Sequence, residues 1–300
     1  MTNKPPSPWD KAAIRSADAR KQENTGRRQQ AAPAGEERAV VRHEVARHEG
    51  GNKQELRYYG LNAVQAVFAQ RPHAIRKVYL SEARIPQLQP LLAWCVSNRI
   101  GYRVVEESDL GKLAASSHHE GVVADVLRVE PQALSDWLGA LPAGPVLALW
   151  LDGVGNPHNF GAILRSAAHF GVAAILQSQD STLAVSGAAA RVAEGGAEQV
   201  PLVRMGQRDD ALAQLRAAGF MLAATVVRDG EDLFATRLPQ RLAYVMGAEG
   251  EGMDDALAAT CDLRLSIPGT GAVESLNVAA ATAVFLAQWN AGIHSRVNAR

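Results

Sequence analysis

Six consecutive apolar residues, Val146 to Leu151, constrain the fold of this chain more than any other feature. A strand with apolar side chains on both faces is typical of a parallel sheet that helices cover on both sides. Further strands are predicted downstream, and helical segments separate most of them. Their predicted ranges are 172–177, 200–203, 220–227, 242–246 and 263–267. This alternation predicts an α/β domain with a mostly parallel sheet over residues 145–300.

The chain before that domain divides into three predicted parts. Residues 1–54 hold eleven Lys or Arg, seven Asp or Glu and a single aromatic residue. Such a composition buries too little apolar surface to offset the entropy of ordering, so we predict a disordered, mildly basic arm. The arm is either a solvated tail or a weak contact for RNA. Residues 55–129 are predicted to form a small α/β domain, and residues 130–144 a packed linker.

The small domain is predicted from short apolar patterns. Helical spacing predicts a helix that begins at Tyr58 and runs to Phe68. The remaining elements are a strand, a helix and two further strands, predicted at 75–80, 86–98, 102–105 and 121–127.

Composition excludes several classes of protein. The formal net charge is zero, so charge alone indicates no partner. No stretch of eighteen apolar residues is present, and the N-terminus lacks the apolar segment of a signal peptide. Cys95 and Cys261 lie too far apart for a metal-binding spacing. We therefore expect a cytoplasmic protein without a membrane span or a metal site.

Three predicted strands end in glycine-rich segments, at residues 153–157, 247–252 and 267–278. Ligands bind beyond the carboxyl ends of the strands in such sheets, so the three segments predict one composite site. In the last of them, Ser275 and Asn277 are expected to open a long, alanine-rich helix. The glycines do not match the G-x-G-x-x-G register, which argues against a dinucleotide-dependent oxidoreductase.

Three sequence motifs together resemble those of a known family. Residues 156–167 (NPHNFGAILRSA), 247–252 (GAEGEG) and 267–278 (IPGTGAVESLNV) are similar, in this order, to the motifs of the SpoU, or TrmH-like, RNA ribose methyltransferases. The resemblance implies methyl transfer from S-adenosylmethionine to a ribose 2′-hydroxyl of structured RNA, with ribosomal RNA preferred to tRNA. It also implies a homodimer, a C-terminal trefoil knot, no metal, and an L30e-like substrate-binding domain at residues 55–129.

The resemblance further implies the residues of the site. The catalytic set is Arg165, Asn159, Glu249, Ser275 and Asn277. The cofactor-binding set is Gly247, Glu249, Gly250, Ile267, Gly269, Gly271 and Leu276. Because this set is intact, we favour an enzyme over a non-catalytic RNA-binding or ribosome-assembly factor that retains the fold.

The predicted site residues also have simpler interpretations. A helix is predicted over residues 159–170, and Arg165 points away from its apolar face, as a solvated surface arginine would. Asn159, Ser275 and Asn277 are typical helix-start residues, and Glu249 fits a solvated turn. In the family, the arginine activates the 2′-hydroxyl, yet a guanidinium essentially never loses its proton in proteins. Our hypothesis is that Arg165 binds the target phosphate and stabilises the developing alkoxide.

A small-residue stretch at 186–191 corresponds to a family segment that often touches RNA. Here Glu194 and Glu198 follow it, and two carboxylates would repel phosphate. RNA contact through Arg191 is therefore not expected.

Overall fold

The computed structural model of this chain describes residues 54–248 and 252–298, and the side chains in those ranges up to residue 293. Residues 1–53 of the predicted arm lie outside the described residues, as do Glu249 and Gly250 of the predicted site. The described residues form two sheets, and both belong to one compact unit.

The larger sheet has the apolar run near its middle, as β6 (Val146–Leu151), and every residue of this strand is buried. Its other strands are β5 (Gln132–Ala133), β7 (Ala174–Gln177), β8 (Leu202–Arg204), β9 (Met221–Thr225), β10 (Glu231–Asp232), β11 (Arg241–Met246) and β12 (Leu263–Ser266). The order across the sheet is β10-β12-β9-β11-β6-β7-β8-β5. All neighbouring pairs are parallel, which confirms the predicted parallel sheet.

Helices connect the strands of both sheets. In chain order they are α1 (Leu61–Gln70), α2 (Ile85–Ser97), α3 (Glu107–Ala114), α4 (Leu134–Gly139), α5 (Pro157–His169), α6 (Gly187–Ala193), α7 (Arg208–Ala217), α8 (Asp255–Thr260) and α9 (Val278–Asn298).

Helices cover both faces of the large sheet because successive side chains of a strand point in opposite directions. Leu149 packs on one face with side chains from α5, α6 and α9. Trp150 packs on the other face with side chains from α4, α7 and α8. Full burial of one such leucine stabilises the fold by about 2 kcal/mol. The two apolar faces of β6 therefore explain the three-layer arrangement.

The start of α5 corrects one prediction. Asn156 caps this helix, because its Oδ1 accepts the backbone N–H groups of His158 at 2.8 Å and Asn159 at 3.3 Å. Pro157 takes the first helical position, where its missing N–H has no intrahelical partner in any case. The prediction that Asn159 opens the helix is thus wrong, since it is the third helical residue.

The smaller sheet consists of β1 (Glu55–Tyr59), β2 (Ile75–Leu80), β3 (Gly101–Val104) and β4 (Val122–Leu127). Its order is β1-β4-β2-β3, with β4 antiparallel to both neighbours and β3 parallel to β2. Side chains from α1 and α2 pack with Val78 on one face. On the other face, Leu110 of α3 packs with Tyr59 and Val123. We call β1 to β4 with α1 to α3 the small-sheet module.

Several elements differ from the predicted ones. The helix predicted to begin at Tyr58 is confirmed as α1, but its predicted start is wrong, because Tyr58 and Tyr59 pair with β4 as the end of β1. Gly60, with a φ of 96°, turns the chain between β1 and α1. The strand predicted at 75–80 is confirmed as β2, and the helix predicted at 86–98 is confirmed as α2. Helix α3 was not predicted. Helix α4 and strand β5, which lie within segment 130–144, were not predicted either.

Candidate functional site

The predicted site lies at the carboxyl edge of the large sheet. There β6 ends at Leu151, β11 at Met246 and β12 at Ser266, and a glycine-rich segment follows each strand. Because the strands are parallel, all three segments leave the sheet at the same edge, where ligands bind in folds of this class.

A hydrogen bond joins the first and third motifs. Nδ2 of Asn277 donates to Oδ1 of Asn159 at 3.1 Å, across 118 positions of the chain. Oδ1 of Asn277 accepts the backbone N–H of Ala279 at 2.9 Å and so caps α9. Asn277 is exposed and Asn159 is partly exposed, so the pair lies where a ligand can reach it. The structure thus brings two of the predicted catalytic residues together.

Ser275 lies in the exposed loop before α9. The expectation that it opens this helix is wrong, because α9 begins at Val278 and Asn277 is its capping residue. Its position two residues before Asn277 still places it in the same loop as the asparagine pair.

The loop after β12 leaves open space around its backbone. A Cβ added at Gly269 or Gly271 would meet no heavy atom within 4 Å, and Gly271 has a φ of 78° that favours glycine. Leu276 exposes 48% of its surface in the same loop, whereas Ile267 is partly buried against the core. The open backbone and the exposed apolar side chain leave this loop accessible to a ligand.

The second glycine-rich segment is closely packed instead. A Cβ on Gly247 would lie 2.6 Å from the backbone of Gly252 and Met253, so no side chain fits there. Ala248 and Gly252 exchange backbone hydrogen bonds of 2.9 and 3.1 Å, which hold together the two ends of the segment. A Cβ on Gly153 would lie 2.9 Å from the Cβ of Ala248, so the first two segments are in direct contact.

Arg165 lies on the exposed side of α5, away from Phe160, Ile163 and Leu164, which are fully buried. Its guanidinium makes no hydrogen bond or ion pair to the part of the chain that the structure describes. Its backbone is nevertheless held, because a Cβ on Gly196 would lie 3.1 Å from the Arg165 Cα. A fixed backbone with an available guanidinium suits the binding of an anion.

Four charged residues near the site were not predicted. Arg228 and Glu274 form an exposed ion pair of 3.6 Å between the loop after β9 and the third motif. No sequence pattern relates two charges so far apart in the chain. Asp254 caps α8 beside the second motif, and the hydrogen bond from Arg208 lowers the pKa of its carboxyl. An Asp before a helical pattern is the signal that could have identified this cap.

Residues 54–248 and 252–298 contain no group of three His, Cys, Asp or Glu residues that could hold a metal ion. Within the same ranges, no helix is both long and apolar enough to span a membrane.

Two sequence families match the chain. Residues 146–287 match the SpoU rRNA Methylase family, and residues 58–132 match a family described as RNA 2′-O ribose methyltransferase substrate binding. A relative from Escherichia coli O157:H7, the uncharacterized tRNA/rRNA methyltransferase YfiF, is 39% identical over 236 residues, covering 79% of this chain and 68% of the relative. The 23S rRNA (guanosine-2′-O-)-methyltransferase RlmB of Escherichia coli K12 is 34% identical over 232 residues, covering 76% and 95%.

Solved structures share the fold. An AdoMet-bound rRNA methyltransferase from Sinorhizobium meliloti gives a TM-score of 0.66 at 23% identity, over 79% of this chain and 87% of that one. The SpoU methyltransferase AviRb from Streptomyces viridochromogenes, in complex with AdoMet, gives 0.67 at 22% identity, over 81% and 92%. At these identities the likeness concerns the fold alone.

Proposed function

The chain belongs to the SpoU rRNA methylase family and is an S-adenosylmethionine-dependent RNA methyltransferase, and we propose that its acceptor is a ribose 2′-hydroxyl of structured RNA. The observation that carries this proposal is the hydrogen bond between Asn159 and Asn277, which joins the first and third motifs beside an open glycine-rich loop. Ribosomal RNA is the proposed substrate, a choice that the name of the RlmB relative supports.

When bound, S-adenosylmethionine supplies a methyl group on a sulfonium, which is electrophilic without help from a metal. We propose that the open backbone at Gly269 and Gly271 and the side chain of Leu276 hold it, with Gly247, Ile267, Glu249 and Gly250 completing the pocket. The chain's remaining task is to align the ribose and to support loss of the hydroxyl proton.

Arg165 has the central role in this proposal. Its guanidinium stays protonated, so it binds the target phosphate and stabilises the developing alkoxide while the hydroxyl proton passes to solvent water. Asn159, Ser275 and Asn277 orient the ribose, and Glu249 organises the pocket. We expect Arg165→Lys to lower kcat at least tenfold, since an ammonium lacks the planar fork that contacts two oxygens at once. Near-normal turnover of that variant would refute the need for the fork.

Further parts of the proposal concern the whole assembly. Residues 55–129 form an L30e-like substrate-binding domain, residues 130–144 a packed linker whose β5 and α4 join the large sheet, and residues 145–300 the methyltransferase domain. After β12 the chain returns so that α9 packs against α5, and we propose that this segment forms a trefoil knot. We further propose a homodimer in which each site is completed by the partner, and a cytoplasmic location, where ribosomal RNA is found.

The test is methyl transfer from labelled S-adenosylmethionine into RNA from cells that lack this gene, followed by nucleoside analysis. We expect a 2′-O-methylated nucleoside with the wild-type protein and none with Arg165→Ala. If the folded protein labels no RNA, a non-catalytic RNA-binding role replaces the proposed function.

A further inference from the structure

Helix α6 is shared by the cores of both sheets. Ala189 and Ala193 are buried in the core of the large sheet, whereas Ala190 is buried in the core of the small-sheet module. At its start, a Cβ on Gly187 would lie 2.3 Å from the carbonyl oxygen of Arg57. Small residues therefore let two backbones approach closely, and the small-sheet module is packed against the large sheet rather than tethered to it.

An ion pair with two hydrogen bonds strengthens this contact. Nε and Nη2 of Arg71, at the end of α1, donate to the two carboxylate oxygens of Glu198, and the second bond is 3.0 Å long. Nη1 of Arg71 donates to the carbonyl of Leu127 at 2.6 Å, so the guanidinium is fixed from both sides. The side chain of Glu198 is only 4% exposed. A two-bonded arginine pair of this kind fixes orientation as well as distance.

A second polar contact lies beside the first. Arg191 of α6 pairs with Glu120 at 2.6 Å and with Glu194 at 3.2 Å, and it donates to the carbonyl of His118 at 3.2 Å. Glu194 also accepts a hydrogen bond from Asn62 of α1. Glu194 and Glu198, which sequence reasoning treated only as repelling phosphate, are thus partners of the small-sheet module.

The Arg71–Glu198 ion pair is close to the backbone of Arg165. Glu198 ends a short 3₁₀ helix, Gly196–Glu198, that packs on α5. A Cβ on Gly196 would lie 2.8 Å from the carbonyl oxygen of Leu164 and 3.1 Å from the Cα of Arg165. Only two residues therefore separate the partner of Arg71 from the backbone of the proposed catalytic arginine.

We propose that Arg71 and Glu198 are positioning residues, which hold the small-sheet module, as the RNA-binding part of the protein, at a fixed distance and angle from Arg165. The inference rests on the proposed function. RNA held by the small-sheet module then presents only a ribose at the matching distance, so the pair helps to determine which nucleotide is methylated. Loosening the pair leaves the RNA-binding surface intact but orients the target ribose less often.

The test measures kcat and the KM for RNA with full-length Glu198→Gln and Arg71→Lys. The RNA is ribosomal RNA from cells that lack this gene. We expect kcat to fall at least tenfold, KM to change less than threefold, and the Kd for S-adenosylmethionine to stay the same. A general loss of stability would lower the folded fraction, and with it the apparent kcat at unchanged KM, so kcat is calculated per folded enzyme, counted as S-adenosylmethionine-binding sites. Arg71→Lys keeps the charge and so serves if Glu198→Gln fails to fold.

Asp125→Asn is the matched control. It breaks the Arg57–Asp125 pair of 2.8 Å, another partly buried arginine–carboxylate pair, but one that lies wholly within the small-sheet module. Its kcat should remain within twofold of wild type. An active wild-type enzyme whose Glu198→Gln variant keeps its kcat would overturn this inference alone. A wild-type protein that transfers no methyl group to RNA would overturn the proposed function and this inference with it.

Discussion

At the scale of single residues, the side chain of Asn277 has two roles that substitution can separate. Its Oδ1 caps α9 and its Nδ2 reaches Asn159. Sequence reasoning identified both residue types from the motifs, and a helix-start role for Asn277 follows from its own neighbours. The contact with Asn159 was not predictable from local pattern, because it depends on where the third motif lies in space.

We expect Asn277→Ser and Asn277→Ala to have similarly reduced activities but different free energies of unfolding. Serine caps a helix about as well as asparagine, yet its side chain is too short to reach Asn159, so the free energy of unfolding should change by less than about 0.5 kcal/mol. Alanine loses the cap as well and should cost about 1 kcal/mol. Both should lower kcat.

Denaturant unfolding and labelled methyl transfer measure the two effects. An Asn277→Ser enzyme with wild-type kcat would show that the contact to Asn159 has no part in the reaction.

At the scale of elements, strong apolar patterns were predicted well and boundaries set by tertiary contacts were not. The run that became β6 is unambiguous, because both of its faces are apolar. The pairing of Tyr58 and Tyr59 with β4 was missed, since their spacing to α1 also fits a helix. Helix α6 was identified only as a small-residue stretch, because a run of alanines and glycines has no apolar periodicity that predicts a helix. Its packing against two cores becomes visible only in the structure.

The close contact of α6 predicts that Gly187→Ala is destabilising. The added methyl would overlap the Arg57 carbonyl and the Tyr59 ring, at 2.3 and 2.9 Å. Overpacking of this kind costs about 1–3 kcal/mol. Gly139→Ala is the control, because no atom lies within 4 Å of its added Cβ, and it should be neutral or slightly stabilising. Equal unfolding free energies of the two variants in denaturant would contradict the tight contact at α6.

At the scale of the whole molecule, a helix shared by two cores makes the two sheets depend on each other. The small sheet loses Ala190 and the Glu198 contact if the large sheet opens, and the large sheet loses packing on α6 in the converse case. Their stabilities should therefore be coupled.

Native-state hydrogen exchange tests this coupling. The most protected amides of β4 and of β6 should exchange through openings that agree within about 1 kcal/mol, since both require the global transition. A value for β4 that is several kcal/mol lower would mean that the small-sheet module unfolds by itself. Glu198→Gln should widen any difference between the two sheets, whereas Asp125→Asn should lower the protection of β4 and of β6 by similar amounts.

The glycine and alanine surface of α6 also limits how such an enzyme can acquire a new target. Recombination that exchanges only the small-sheet module would place an unrelated surface against Gly187, where even one extra methyl group does not fit. A successful chimera must therefore bring its own α6 and the following turn with Glu198. Two separate segments, the small-sheet module and α6 with the turn that carries Glu198, must therefore be inherited together if the choice of target nucleotide is to be kept. The second segment lies within the methyltransferase domain.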